Sequence, residues 1–414
     1  MLKLAYFIEI TWLLIDMISG FLQNQGIFLL GNLTVSALVR IAVVGLFLAI
    51  LLSQLKPNRL LNLLLFLLVC SLWISWHALA SAFDSKSNFL AEVQFYLKLM
   101  LPILTLGVMQ IQLKKGILTA VRVRRIVTFN AVILILNLSL GLFGIGFGNY
   151  GESETGEIIG SKGFFYAGNE VSATLVAIFA LVLFTYREQF KRNYLKMLAV
   201  VGVFFVASLL SLSKTSLIGF LLVLAFFMFN DLPLAKLVKF SVVTSLAVMM
   251  TTPWWYSLLQ VSIERWQFFW EIRPDFLDFI TSGRSERVAN YLTWLTSDDI
   301  TWQLIFGGGQ REVAEVGKFE NDLLDLTMSS GLLGLIFYAV WLGWAWSGLV
   351  DRLHRNIPTG TFVFYVIGIF IMLSVIAGHV IYSATLAPFI ALVALASSRY
   401  FPFTMAAAYK ELTR

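Results

Sequence analysis

The chain is poor in the residues that most soluble enzymes use. Its 414 residues include one cysteine, Cys70, which excludes an internal disulfide and any cysteine-rich metal site. Three scattered histidines make no metal motif, so no metal or cofactor is expected. Charged residues are 13% of the chain and hydrophobic residues 59%, a balance that excludes a water-soluble globular domain. No repeat of repeat-protein length is visible, and no matched pair of broken apolar segments of the kind inverted-repeat transporters carry.

What is present is one apolar run after another. Crossing about 30 Å of hydrocarbon takes roughly 17 to 25 helical residues, and helices satisfy their own backbone in lipid. The expected fold is therefore all-α, a polytopic transmembrane helix bundle of about twelve spans: 4–22, 33–53, 60–80, 93–111, 126–147, 169–186, 196–212, 215–230, 237–254, 323–347, 360–381 and 384–400. The split of 196–230 rests only on Ser211-Leu-Ser-Lys-Thr-Ser216. The first segment carries Glu9 and Asp16, lacks a small-residue cleavage site and is expected to stay as an anchor.

Lysine and arginine set the orientation. With the N-terminus inside, the inner loops collect Lys56, Arg59, Lys114, Lys115, Arg122, Arg124, Arg125, Arg187, Lys191, Arg192, Lys196, Lys236, Lys239, Arg352, Arg355, Lys410 and Arg414. These loops account for the net charge of +6 and suit anionic headgroups of the lipid bilayer; they are no argument for nucleic acid. Three segments follow: 1–254 with spans one to nine, an extracytoplasmic loop at 255–322 with short amphipathic helices, and 323–414 with spans ten to twelve and a cytoplasmic tail. A shorter outer stretch, Gly148 to Gly168, is glycine-rich and acidic, and reads as a solvated connection or a substrate-facing lid.

The long loop carries three pieces. Glu264 to Arg273 mixes aromatics with charges, as an interfacial helix does, and Pro274 ends it. Ser282 to Leu295 reads as a second helix, capped at Ser282 or Gly283, with Arg284, Arg287 and Tyr291 on one face. Two guanidiniums near a helix N-terminus suit phosphate oxygens; the alternative pairs the same arginines with Glu286 or Asp298 as surface bridges. The third piece is a tight turn at Gly307, Gly308 and Gly309, then Phe319-Glu-Asn-Asp-Leu-Leu324 leading into span ten. Glu320 stands where the polar loop meets the apolar helix, placed either to cap that helix or to act as a general base. Arg40, Lys98 and Lys214 sit near the outer boundary against the inside-positive trend. Cations at that depth have acidic partners, here Glu9, Asp16 or Glu92, or anionic ligands. His77 and His379 fall on the same side and read as interfacial hydrogen-bonding residues.

Gly163-Phe-Phe-Tyr-Ala-Gly-Asn-Glu170, Ser211-Leu-Ser-Lys-Thr-Ser-Leu-Ile-Gly219, Ser282-Gly-Arg-Ser-Glu286, Phe306-Gly-Gly-Gly309, Phe319-Glu-Asn-Asp-Leu-Leu324 and Gly331-Leu-Leu-Gly334 occur in an order that resembles the O-antigen ligase and Wzy-type polymerase superfamily. The resemblance implies a GT-C-like bundle in the bacterial cytoplasmic (inner) membrane, with its active site on the extracytoplasmic side. It also implies metal-independent, inverting glycosyl transfer from an undecaprenyl-diphosphate-linked oligosaccharide, with a chain-length regulator as a candidate partner. By position, Arg284 matches the arginine placed at the donor diphosphate and Lys214 a position that is commonly arginine at an outer helix end. From their own placement Arg287, Lys98 and Arg40 are expected as further diphosphate ligands, and Asn321, Tyr291 and Asn169 as acceptor or sugar contacts. Glu320 stands where the ligases carry histidine, a departure that favours a polymerase of exopolysaccharide, capsule or O-antigen over a ligase acting on lipid A core. A lipid-linked glycan flippase is the alternative of another class.

Overall fold

The computed structural model describes residues 1–28, 34–82, 89–149, 160–231, 284–295, 301–317, 319–353 and 358–396, with isolated positions between 238 and 275. Of the segment expected to span at 237–254 only Val238, Val242 and Met249 are described, helical and exposed; the caps at Ser282 and Gly283 and the side chain of Arg284 lie outside the described residues. Of the expected interfacial helix, Glu264, Gln267, Phe268, Trp270 and Glu271 are described, helical and exposed.

The chain is mostly helical. In order run α1 (Leu2–Ile10), α2 (Trp12–Asn24), α3 (Val35–Gln54), α4 (Pro57–Ala82), α5 (Phe89–Lys114), α6 (Ala120–Ser139), a short hairpin β1 (Phe147–Gly148) and β2 (Ser161–Gly163), then α7 (Gly168–Thr185), α8 (Arg187–Arg192), α9 (Tyr194–Leu210) and α10 (Lys214–Asp231). After these come α11 (Arg284–Leu295), α12 (Thr301–Phe306), α13 (Gly309–Val316), α14 (Asp322–Leu353), α15 (Pro358–Ile376) and α16 (Ala387–Ala396). Among the described residues five helices are long and apolar enough to cross a membrane, six if the bent pair α1 and α2 is one span. Four shorter apolar helices accompany them. On α4, Leu61, Leu65, Leu68, Leu72, Trp76 and Leu79 form an exposed stripe. At 1.5 Å per residue it is about 27 Å long, close to the roughly 30 Å of a bilayer core. Such a stripe in water would be an aggregation surface. This is a multi-pass membrane protein.

The expected first span is not continuous, because α1 and α2 meet at a 60° bend. The Asn130 side chain causes it. Its amide nitrogen donates to the carbonyls of Glu9 (3.1 Å) and Ile10 (3.0 Å), and its oxygen accepts the Leu13 N–H at 3.0 Å. A side chain inserted into the ladder satisfies the groups that a straight helix would pair internally. The expected 126–147 segment also begins earlier, at Ala120, and leaves the α-helix at Ser139 for a 3₁₀ turn over Leu140–Phe143. The expected 384–400 segment is helical from Ala387 to Ala396, the last described residue. The weakest boundary, inside 196–230, falls at Ser211 to Ser213 as expected.

Two compact units divide the chain. One comprises Met1–Tyr6, Val39–Thr119 and Gly283–Arg414; the other comprises Phe7–Leu38 and Ala120–Ser282. In the first, α16 is buried along its whole length and packs on α5. The second is centred on α7, buried from Val171 to Thr185 and packed by α6 and α10. A helix that is apolar on every face has to be enclosed by neighbours or lipid, and both of these are enclosed by protein.

Candidate active site

The site is built where α11 to α15 come together in the first unit. Tyr291 and Trp294 on α11, Val313 on α13, Phe319 and Met328 form an apolar cluster. The Trp294 indole nitrogen donates to Glu312 Oε1 at 2.7 Å. Tyr291 is 7% exposed, and its ring meets that of Phe319 edge-on at 5.2 Å. Burial raises its phenol pKa, opposed by a hydrogen bond with Thr327. Its position anchors α11 beneath the loop, leaving the more exposed Arg287 one turn earlier.

The glycine turn has a packing reason. Gly307 (φ 83°) and Gly331 (φ 70°) lie back to back: a Cβ on Gly307 would stand 2.4 Å from the Ser329 carbonyl oxygen, and one on Gly331 2.2 Å from the Ile305 oxygen. Gly331 breaks the helical backbone inside α14. The Gly308 N–H donates to the Met328 carbonyl at 2.9 Å, and the Trp73 indole donates to the carbonyls of Phe306 and Ser330, both at 3.1 Å. Buried Glu92 accepts the Gln310 N–H. The Phe306-Gly-Gly-Gly309 and Gly331-Leu-Leu-Gly334 motifs are thus two halves of one close backbone contact.

The polar side chains of residues 319–325 are divided among different partners. Asn321 Oδ1 accepts the N–H groups of Leu323 (3.1 Å) and Leu324 (3.3 Å), the geometry of an N-cap, and its Nδ2 donates to Val375 O at 2.9 Å. The capping role open to Glu320 in the sequence belongs to Asn321. Asp322, fully buried, accepts the N–H groups of His379, Val380 (2.8 Å) and Ile381 (2.8 Å). Asp325 accepts the Phe319 N–H at 2.8 Å and the Tyr382 hydroxyl at 3.4 Å. Glu320 instead reaches Arg287, Oε1 to Nη1 at 2.9 Å, with 31% and 41% of the two side chains exposed.

The backbone presenting Glu320 is unusual. Among described non-glycine residues, Glu320 (φ 55°), His379 (φ 59°) and Leu212 (φ 50°) have left-handed conformations. Each costs on the order of 1 to 3 kcal/mol and persists only where surrounding contacts enforce it. Here Asp322 ties the two turns, and Gly378 is pressed so close that a Cβ would lie 2.5 Å from the Glu320 carbonyl carbon. Beside them opens a cavity of about 200 Å³ whose lining includes Gln94, Lys98, Gln310, Asp325, Ser329, His379 and Tyr382. Lys98 therefore faces the same hollow as His379, on residues adjoining the Glu320 turn.

The remaining expected site residues are distributed differently. Arg40 donates to the Thr385 hydroxyl at 2.8 Å, in the turn before α16. Lys214 heads α10 in the second unit, after a turn where the Ser211 and Ser216 hydroxyls meet at 2.6 Å; Asn169 lies in the first turn of α7 in that unit. Sequence reasoning treated His379 as a bystander and passed over Gln94, Gln310, Asp322 and Asp325. The readable signal was Asp322 and Asp325, two carboxylates three apart at the head of an apolar helix. Among the described residues, no group of three His, Cys, Asp or Glu side chains is placed to hold a metal ion.

A family model described as O-antigen ligase like membrane protein matches residues 10–241, more than half of the chain. The chain belongs to that family. No curated protein and no solved structure matches it. For this O-antigen ligase-like protein, the match includes the Gly163 to Glu170 and Ser211 to Gly219 motifs and ends before α11, so the Arg287–Glu320 pair lies beyond the matched region.

Proposed function

We propose that this O-antigen ligase-like protein is a glycosyltransferase of the polymerase type. It would transfer undecaprenyl-diphosphate-linked oligosaccharide repeat units onto an acceptor sugar hydroxyl at the outer face of the bacterial cytoplasmic membrane. The observation that carries the reading is the half-exposed Glu320–Arg287 pair, held in a strained turn beside a cavity containing Lys98 and His379. The five long apolar helices, the bent pair and the four shorter apolar helices would account for ten crossings of that topology, with α6 and the segment expected at 237–254 as the other two.

In this reaction Glu320 accepts the proton of the acceptor hydroxyl as its oxygen bonds to the anomeric carbon. The bond from that carbon to the diphosphate oxygen breaks, its electron pair leaves with the prenyl diphosphate, and the configuration inverts. Arg287 orients the carboxylate and, with Arg284 and Lys98, stabilises charge on the leaving group. Lys214 and Arg40 are the further candidates for the diphosphate. Tyr291 and Asn321 act by positioning α11 and the Glu320 turn, and Asn169 remains a candidate sugar contact. One well-placed donor is worth about a hundredfold in rate.

The family description favours a second reading, transfer of the finished chain to lipid A core by a ligase, with the same donor chemistry. The test is Glu320→Gln in cells that make the polymer. A polymerase leaves lipid-linked single units outside with chains short; a ligase leaves long lipid-linked chains untransferred. Single units trapped on the cytoplasmic side would overturn both in favour of transport.

A further inference from the structure

The end of α5 remote from the Glu320 turn carries a second cavity, of about 390 Å³. This is within the roughly 300 to 1,000 Å³ of small-molecule sites. Lys56 and Arg59, at the turn from α3 to α4, and Lys114 and Lys115, at the end of α5, line its polar part. Gln54 and Gln110 also line it, and the rest of the wall is mostly apolar, Leu63, Ile103 and Leu104 among it. From Lys98 to Lys114 the helix advances about 24 Å, so the two cavities are separated by most of a bilayer core.

Three features point to an amphipathic anion. The first is charge: four of the lining residues are Lys or Arg and none is acidic. Lys115 donates instead to the neutral Gln54 oxygen. Four cations around one hollow repel one another at any realistic dielectric. The second is convergence. An inside-positive bias requires cations in the loops, but not that two loops deliver them to a single cavity. The third is the gradient from charged mouth to apolar depth. Between Lys114 and Ile103 the wall descends about 16 Å along α5. A soluble anion would meet the cations and leave that wall wet; a lipid would cover both.

We propose that this cavity binds one anionic phospholipid of the surrounding bilayer, its phosphate between Arg59 and Lys114 and an acyl chain along Leu63, Ile103 and Leu104. Basic pockets between membrane helices recognise anionic headgroups in this way. The inference is independent of the glycosyl-transfer reading.

The test is native mass spectrometry of the purified full-length chain incubated with phosphatidylglycerol or phosphatidylcholine. One phosphatidylglycerol per chain is expected to be retained in preference to phosphatidylcholine by about tenfold or more. Arg59→Gln with Lys114→Gln should abolish the preference. Arg59→Lys with Lys114→Arg, which keeps the charge, and Lys191→Gln with Arg192→Gln, which removes as much charge outside the cavity, should retain it. If the double glutamine variant does not fold, Arg59→Gln alone should weaken retention severalfold. Equal retention of the two lipids, wild-type retention by the glutamine variants, or displacement by millimolar inorganic phosphate would overturn the proposal.

Discussion

The two ends of α5 contrast sharply in charge. At one, Lys98 lines a cavity with Asp325 and His379, Glu92 holds the Gln310 N–H, and Glu320 meets Arg287 near by. At the other, four cations share a hollow with no acid. Opposite charges in hydrogen-bonded geometry can exchange partners with a substrate as charge develops; cations gathered from two turns are suited to holding an anion that stays. On the two proposals made above, the same helix would carry a place for turnover and a place for retention.

The comparison breaks most decisively at Asp322. Removing an acceptor that serves three N–H groups, each costing about 1 to 3 kcal/mol if left buried and unpaired, predicts that Asp322→Ala does not accumulate as folded protein. Size-exclusion profiles and thermal midpoints check it. Glu320→Gln, two residues away, should keep the wild-type midpoint and lose about a hundredfold in polymer formation. If its polymer yield stays within a small factor of wild type, the Glu320 end is architecture and not chemistry. Arg287→Lys keeps the charge but loses the planar fork, and a loss of about tenfold is expected. The smallest effect belongs to Tyr291→Phe, about 1 kcal/mol for the Thr327 hydrogen bond. The sign of its pH dependence is fixed. The folded phenol has a pKa above its ordinary 10.0, so the unfolded chain ionises first and stability falls as pH rises past 10. The variant should lack that alkaline decline in a pH series of thermal unfolding.

Much of this was legible in the sequence because the responsible forces are local. Helical class and membrane residence follow from hydropathy. The helix at 284–295 follows from residue spacing, and the break at Ser211 from a run of serines. The 60° bend at Thr11 was not legible, since it needs Asn130, more than a hundred residues away. Nor was the division of labour in residues 319–325. Three polar side chains in a row look equivalent until Val375, His379 and Ile381 are brought beside them.

The amino-acid order alone determined that this chain lives in a membrane, that its cations gather at particular turns, and that a carboxylate sits at the head of α14. These depend on transfer from water to lipid and on neighbours a few residues apart. Only the tertiary structure decided that Asn321 and Asp322 hold turns together while Glu320 meets Arg287. It alone decided that cations from two separate loops converge on one hollow. Each outcome depends on contacts between distant segments, which local periodicity does not encode.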